Sequence, residues 1–209
     1  MFLIEITYPE GVLDAGARAE VAAALTAALN GGGDAAPEAT MKRARAMTHV
    51  AFHPAQSWTT GQGALPADQA PPYIVTITVP EAWRKEIGSH AIAQIPTILE
   101  RHDPAGAARR PGGHLWVNVV GVRDGSIGLN GKPSSADDVL MYMTEEYRAS
   151  GDADADLPDG VVVDPICGMR VRLGPEAITL NHHGDTLGFC SKGCRASYAH
   201  QHGIEPARS

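Results

Sequence analysis

The sequence predicts an α+β chain in which a duplicated β-α-β unit is followed by a small Cys-rich domain. Two observations carry this reading. A β-rich run closed by Pro-Glu occurs twice, Leu3 to Glu10 and Ile74 to Glu81, with Leu3 and Ile74 standing 71 positions apart, and a helical pattern and a second strand follow each copy. All three cysteines of the 209-residue chain, Cys167, Cys190 and Cys194, lie in its last quarter, beyond a stretch of small and acidic residues.

In the first copy Asp14 is placed to cap a helix on which Val21, Leu25 and Leu29 recur every four residues, so one face is apolar. Asn30 to Pro37 breaks the chain with glycines, and Thr48 to Phe52 returns as a strand. A second soft stretch, Ala64 to Pro72, carries three prolines. In the second copy Trp83, Ile87, Ala91 and Ile95 form the same stripe, Pro96 is expected to kink or end the helix, and Leu115 to Val120 is the returning strand. Ser57 to Gly61 and Ser126 to Asn130 then correspond at an offset of 69. Parallel strands joined by a helix need a right-handed crossover, and two such units can pair into one sheet with helices on one face. After Gly131-Lys132-Pro133 a further helix is expected, capped by Ser134 or Ser135, with Asp137 and Asp138 at its positive end and Val139, Met143 and Tyr147 on one face.

Composition bounds the function. With 17 Lys and Arg against 24 Asp and Glu, the net charge is −7 and the pI about 5.7, which argues against a general nucleic-acid binder. Hydrophobic residues make up 44% and charged residues 20%, as in a folded soluble protein, and no run approaches the length of a membrane span. The start Met1-Phe2-Leu3-Ile4-Glu5 has no basic segment and meets a carboxylate at once, unlike a secretory signal. A soluble, cytoplasmic protein is the expectation, with no nucleic-acid and no membrane partner.

The segment from Ala149 to Gly160 holds small residues, like charges, a proline and glycines, and reads as a linker. The expected division is therefore residues 1–148, a linker over 149–160, and a small domain over 161–209, with a chain ending near Gly151 expected to be soluble and to keep its oligomeric state. In that last part an odd trio of cysteines is poor material for a disulfide framework. Their spacing is C-x22-C-x3-C. If Ser191 starts a helix, Cys190 and Cys194 fall on one side within reach of one ion, and a hairpin with Asn181 to Asp185 at its tip can bring Cys167 back to them. Four of the nine histidines, His182, His183, His200 and His202, gather in the same region. A domain of about fifty residues is near the size at which a metal substitutes for core area.

The duplicated β-α-β pattern, with Gly125 to Pro133 after the second strand and Pro72 to Ile77 as an opening strand, resembles the tautomerase superfamily over residues 1–148. That resemblance implies two fused units per chain and a homo-oligomer, most often a trimer, with sites between units. It also implies catalysis by an amino-terminal proline whose amine shuttles a proton beside a carbonyl. Here the first copy begins Met1-Phe2, and Pro72 in the second follows Pro71, so its nitrogen is a tertiary amide without a usable lone pair. Arg18 and Arg84, near the starts of the two helices, are positions that could represent the family's carboxylate-binding arginines, or they are solvated helix charges. His49, His53 and His114 sit on or beside strands and are assigned no role. The catalytic residues are therefore unknown.

Asp164-Pro165-Ile166-Cys167-Gly168-Met169 and Phe189-Cys190-Ser191-Lys192-Gly193-Cys194, with the spacing between them, resemble the YHS domain, a heavy-metal-binding module related to the TRASH domain. The resemblance covers about residues 160–202 and implies that Cys167, Cys190 and Cys194 are the metal-binding thiols. Three thiolates suit copper(I), or a zinc ion with a fourth ligand, for which His182, His183 and Asp185 are candidates. The expected function is a metal-binding protein, handling or sensing copper or zinc, on an oligomeric tautomerase-like scaffold. The alternative is a tautomerase-superfamily isomerase or lyase with a non-standard base, regulated or stabilised by the metal domain.

Overall fold

The structure, a computed structural model, describes residues 2–31, 36–66, 68–102, 112–150 and 157–204. It divides into two compact units, one of Met1–Gly31 with Thr48–Val122, the other of Gly32–Met47 with Arg123–Ser209. Among the described residues no helix is long and apolar enough to cross a membrane.

The first unit is a four-stranded sheet in the order β2-β1-β5-β6, formed by β1 (Phe2–Pro9), β2 (Thr48–Ala55), β5 (Tyr73–Pro80) and β6 (Leu115–Val122). β1 and β2 run parallel, as do β5 and β6, while β1 and β5 meet antiparallel with Glu5 opposite Thr76. The duplication read from the sequence is thus a β-α-β pair joined edge to edge through its two opening strands. Alternation sets the two faces. Phe2, Ile4, Ile6 and Tyr8 of β1, with Tyr73, Val75, Ile77 and Val79 of β5, are buried in one apolar cluster with Val21 and Leu25 of α1 (Ala15–Leu29) and Ala91, Ile95, Ile98 and Leu99 of α3 (Arg84–His102). Leu3, Ile74, Trp116 and Val120 point the other way and are exposed, Trp116 at 60%.

Asp14 caps α1, accepting from the Ala17 amide at 2.8 Å. A short 3-10 turn, Glu81–Trp83, leads into α3, which runs through Pro96 instead of ending there. Ile92, whose carbonyl Pro96 cannot serve, is on the exposed side, and the buried Ile95, Ile98 and Leu99 anchor the helix on both sides of the ring. A small hairpin of β3 (Thr59–Thr60) and β4 (Gly63–Ala64) completes this unit.

The second unit gathers α2 (Glu38–Ala46), the hairpin of β7 (Ile127–Leu129) and β8 (Lys132–Ser134), α4 (Ala136–Met143), α5 (Glu145–Ser150), the antiparallel pairs β9 (Val161–Val163) with β10 (Arg170–Arg172) and β11 (Ile178–His182) with β12 (Asp185–Phe189), and α6 (Lys192–Gln201). Ser135 caps α4 in a reciprocal box with Asp138, one of the two caps expected. The β11–β12 pair is the expected hairpin, turning at His183 and Gly184, both with positive φ. At Gly188 a Cβ would stand 2.5 Å from the Val162 side chain, so the missing side chain lets β12 lie on β9.

This partition differs from the division expected along the chain. Of the linker expected over 149–160, residues 151–156 lie outside the described residues, and Ala149 and Ser150 end α5. Segments on both sides of it pack together within the second unit. The Thr40 hydroxyl donates to the Cys167 carbonyl at 3.1 Å, Ser197 donates to Asp137, and His200 Nδ1 lies 3.2 Å from the other Asp137 oxygen. Gly168, at φ +78°, abuts the Tyr147 ring and Pro37, where a Cβ would come within 2.3 Å of the ring. A chain ending near Gly151 would leave uncovered the sides of α2, α4 and α5 that pack against the Cys-rich segment.

Candidate metal centre

Two turns carry the cysteines. The first closes after β9, where the Asp164 amide donates to the Met169 carbonyl and the Gly168 amide to the Asp164 carbonyl, both at 2.8 Å. Within it the Asp164 carboxylate accepts from the Ile166 amide at 2.8 Å and, less closely, from the Cys167 amide at 3.4 Å, both at Oδ1. An aspartate that folds back on its own following amides is the Asx-type turn that Asp-Pro favours. The second turn follows β12: Cys190 ends the hairpin, Ser191 caps α6 by accepting from the Cys194 amide at 3.1 Å, and Cys194 lies in the first turn of that helix. Asp164 joins the two, because its Oδ2 accepts from the Cys190 amide at 2.9 Å.

The result is a cluster of three unpaired thiols. Cys190 Sγ is 3.4 Å from Cys167 Sγ and 3.6 Å from Cys194 Sγ. Cys167 and Cys194 are buried, Cys190 is half-buried, and Asp164 is fully buried. One ligand atom from each of the four residues lies within 4.8 Å of every other, and this is the one such group found among the described residues. A zinc–sulfur bond of about 2.3 Å gives a tetrahedral sulfur–sulfur edge of roughly 3.8 Å, so the observed separations are close to those a single ion spans. The donor set therefore fits a soft or borderline cation.

Crowding sets the protonation. Cys190, hydrogen-bonded by Cys167 and by Cys194, is held down to about 3 and carries the negative charge of the cluster. Cys167 is pushed up, first by its own hydrogen bonds with Cys190 and Cys194 and then by burial. At Cys194 the hydrogen bond with Cys167 favours the thiolate, but the one with Cys190, burial and the nearby charges outweigh it and the thiol is pushed up. Asp164 is raised to about 6 by burial and then by the Cys190 charge, against the pull of the two backbone amides.

The structure thus brings Cys167, Cys190 and Cys194 together. It does not bring His182, His183 or Asp185 to them: the four-residue group contains none of these. His182 Nδ1 lies 3.0 Å from the Tyr198 hydroxyl, and its ring is 3.9 Å from that of His183 and 5.2 Å from that of His202. Asp185 is exposed across from His182 in the hairpin. The fourth member of the group is Asp164, which the sequence shows only as part of the motif before Cys167. The signal was present in Asp-Pro before a cysteine and glycine turn.

The positions suggested by the tautomerase resemblance, and the strand histidines, have local surroundings or partners. Pro72 is buried just before β5. Arg18 Nη1 donates to the Leu13 carbonyl at 3.1 Å and to the Tyr8 hydroxyl at 3.5 Å, and Arg84 Nε donates to Glu81 at 2.8 Å, so each serves its own neighbourhood. His53 Nε2 is 3.3 Å from Glu5, and the His114 carbonyl accepts from the Tyr73 amide.

Several solved structures are similar to this chain. The symmetric trimer of a fused 4-OT wild type is 13% identical, with a TM-score of 0.47, covering 66% of this chain and 98% of that one. N1, a member of the cis-3-chloroacrylic acid dehalogenase family, is 18% identical, with a TM-score of 0.47, covering 75% and 92%. The macrophage migration inhibitory factor-like protein from Entamoeba histolytica is 10% identical, with a TM-score of 0.44, covering 63% and 97%. No family model and no curated protein matches the sequence, so the likeness of residues 160–202 to the YHS domain is one of motif and spacing.

Proposed function

We propose that this chain is a metal-binding protein in which Cys167, Cys190 and Cys194 hold copper(I) or zinc. One observation carries the reading: three free thiols from two turns, 23 positions apart in sequence from Cys167 to Cys190, meet at 3.4 and 3.6 Å. Thiolates bind as anions, and a preformed trio with one sulfur already charged lowers the cost of loading. The test is metal content of the reduced protein, with wild type against the triple variant in which all three cysteines become serine. About one equivalent of zinc or copper in the wild type and none in the variant supports the reading. Equal binding by the two, or no binding by either, ends it.

A second reading concerns the sheet unit. The similar structures bear on it, and not on the thiols, since they are named for a fused 4-OT, a dehalogenase family and a migration inhibitory factor. In this reading the chain is a tautomerase-superfamily isomerase or lyase with a non-standard base, and the metal unit stabilises or regulates it. Proton exchange beside the carbonyl of a 2-oxo acid, followed by NMR in deuterated water, tests it; exchange above the buffer rate favours the isomerase.

Both readings place the chain in a homo-oligomer, a trimer by resemblance. Exposed Leu3, Ile74, Trp116 and Val120 on the open sheet face, with unpaired edges at β2 and β6, support this. Light scattering that returns the mass of a single chain overturns it.

A further inference from the structure

Asp164 belongs to the four-residue group by distance, yet its bonds describe a different task. Its two oxygens accept three backbone amides: Ile166 and Cys167 at Oδ1, Cys190 at Oδ2. Those amides lie in the two turns that carry sulfur. Turning the carboxylate toward an ion would weaken buried hydrogen bonds, and a buried donor left unsatisfied is costly. Its main chain closes the first turn as well, through the bonds to Met169 and Gly168. His182 cannot complete the set from where it stands, bonded to Tyr198 and outside the group. Cys190, the sulfur between the other two, is also the one that is not fully buried.

From this we infer that Asp164 is a positioning residue that locks the Cys167 and Cys190 turns together without ligating, so that a four-coordinate ion such as zinc is held by three sulfurs and its fourth position is filled from outside the chain. This rests on the metal reading proposed above and deepens it. A site closed by four protein ligands keeps its ion, whereas a position left to solvent accepts an incoming ligand. The incoming ligand suited to such an ion is a thiol, the group by which another protein or a small molecule would deliver or remove it.

The experiment uses cobalt(II) on the full chain, kept reduced with a phosphine, and reads two absorption features: the thiolate charge-transfer band and the d–d bands. Adding 2-mercaptoethanol to the loaded wild type is expected to shift the d–d bands and raise the charge-transfer band by about a third, as three sulfurs become four. Asp164→Asn is expected to bind about 10–100-fold more weakly, the usual cost of removing a carboxylate that orients ligands, with unchanged bands at saturation. Bands in the wild type that ignore the added thiol overturn the inference, as does an Asp164→Asn spectrum at saturation that shows a lost oxygen donor. If that variant does not fold, the wild-type titration decides alone. Failure of the wild type to bind cobalt, zinc or copper removes the metal reading itself, and the inference with it; binding with a closed coordination shell removes only the inference.

Discussion

The two units of this chain are held by different means. In the sheet unit, strands of eight residues lay alternate side chains into one apolar cluster, and Ile4, Ile6, Tyr8, Tyr73, Val75 and Ile77 are all fully buried. In the other unit the strands around the thiols have three to five residues, and the deeply buried apolar side chains among the described residues are fewer, with Phe189, Ile166 and Val139 the most enclosed. Polar clasps take the place of apolar area: Asp164 across two turns, Thr40 on the Cys167 carbonyl, Arg43 with Glu145 and Glu146, Asp137 with Ser197. The sheet unit is the kind of structure that apolar burial alone can maintain. The thiol unit is the kind that gains most from an additional tie.

The largest effect expected from this contrast comes from ending the chain at Gly151. Hydrogen exchange should then show protection lost across α2, α4 and α5, whose covering segment is gone, while β1 and β5 stay protected. Retained protection in α4 would break the comparison, because those helices would not depend on the Cys-rich segment. A point change in each unit sharpens it. Ile77→Ala removes a fully buried side chain and should cost about 2–5 kcal/mol with or without metal. The triple cysteine-to-serine variant should instead lose the stabilisation that metal confers, about 2.7 kcal/mol at a free ion concentration 100 times Kd. Thermal melts of both variants with and without zinc read the difference; a metal-independent loss in the second would mean that the thiols act as core residues.

How much of this the sequence showed follows from the same contrast. The β-rich runs Leu3 to Pro9 and Ile74 to Pro80, each closed by Pro-Glu, are strong local information, and they located both opening strands and their duplication. The Asp14 and Ser135 caps and the Cys-rich hairpin were equally local, since each is a short pattern with a short-range partner. What stayed hidden depends on distant packing. α2 has no long apolar stripe, and its buried Thr40 and Ala44 make sense only beside Cys167 and α5. Asp164 looked like a motif residue because its main service, the bond to the Cys190 amide, spans 26 positions. Of the two outcomes expected at Pro96, an end to the helix does not occur, for a related reason: the ring forbids one hydrogen bond, but the core contacts on either side keep the helix going.

Proton release gives a smaller and more specific signal. Cys190 is already a thiolate at neutral pH, while Cys167 and Cys194 are held in the thiol form. Loading one ion on three thiolates should therefore release about two protons, and affinity should fall as the pH is lowered. Calorimetry in buffers of different ionisation enthalpy measures the number. Release of three would mean that the cluster carries no charge before metal arrives, and the contrast between a prepared site and a merely buried one would go with it.

The smallest expected effect separates the histidines from the thiols. His182 is held below its ordinary value of 6.5 by partial burial and by His183 and His202 beside it. A base whose folded pKa is depressed contributes stability that is present above its unfolded pKa and is lost as the pH falls through the folded one. The contribution should therefore fade on acidification below 6.5, and His202→Ala, which removes one of the neighbouring imidazoles, should move the His182 titration upward. Ring-proton NMR follows that titration directly. Zinc added in stoichiometric amount should leave it unchanged, since His182 is bonded to Tyr198 and lies outside the sulfur group. Should the His182 ring stop titrating when zinc binds, the fourth ligand is His182 after all. The hairpin tip would then have to swing toward the thiols on loading, and the site would be closed from within the chain.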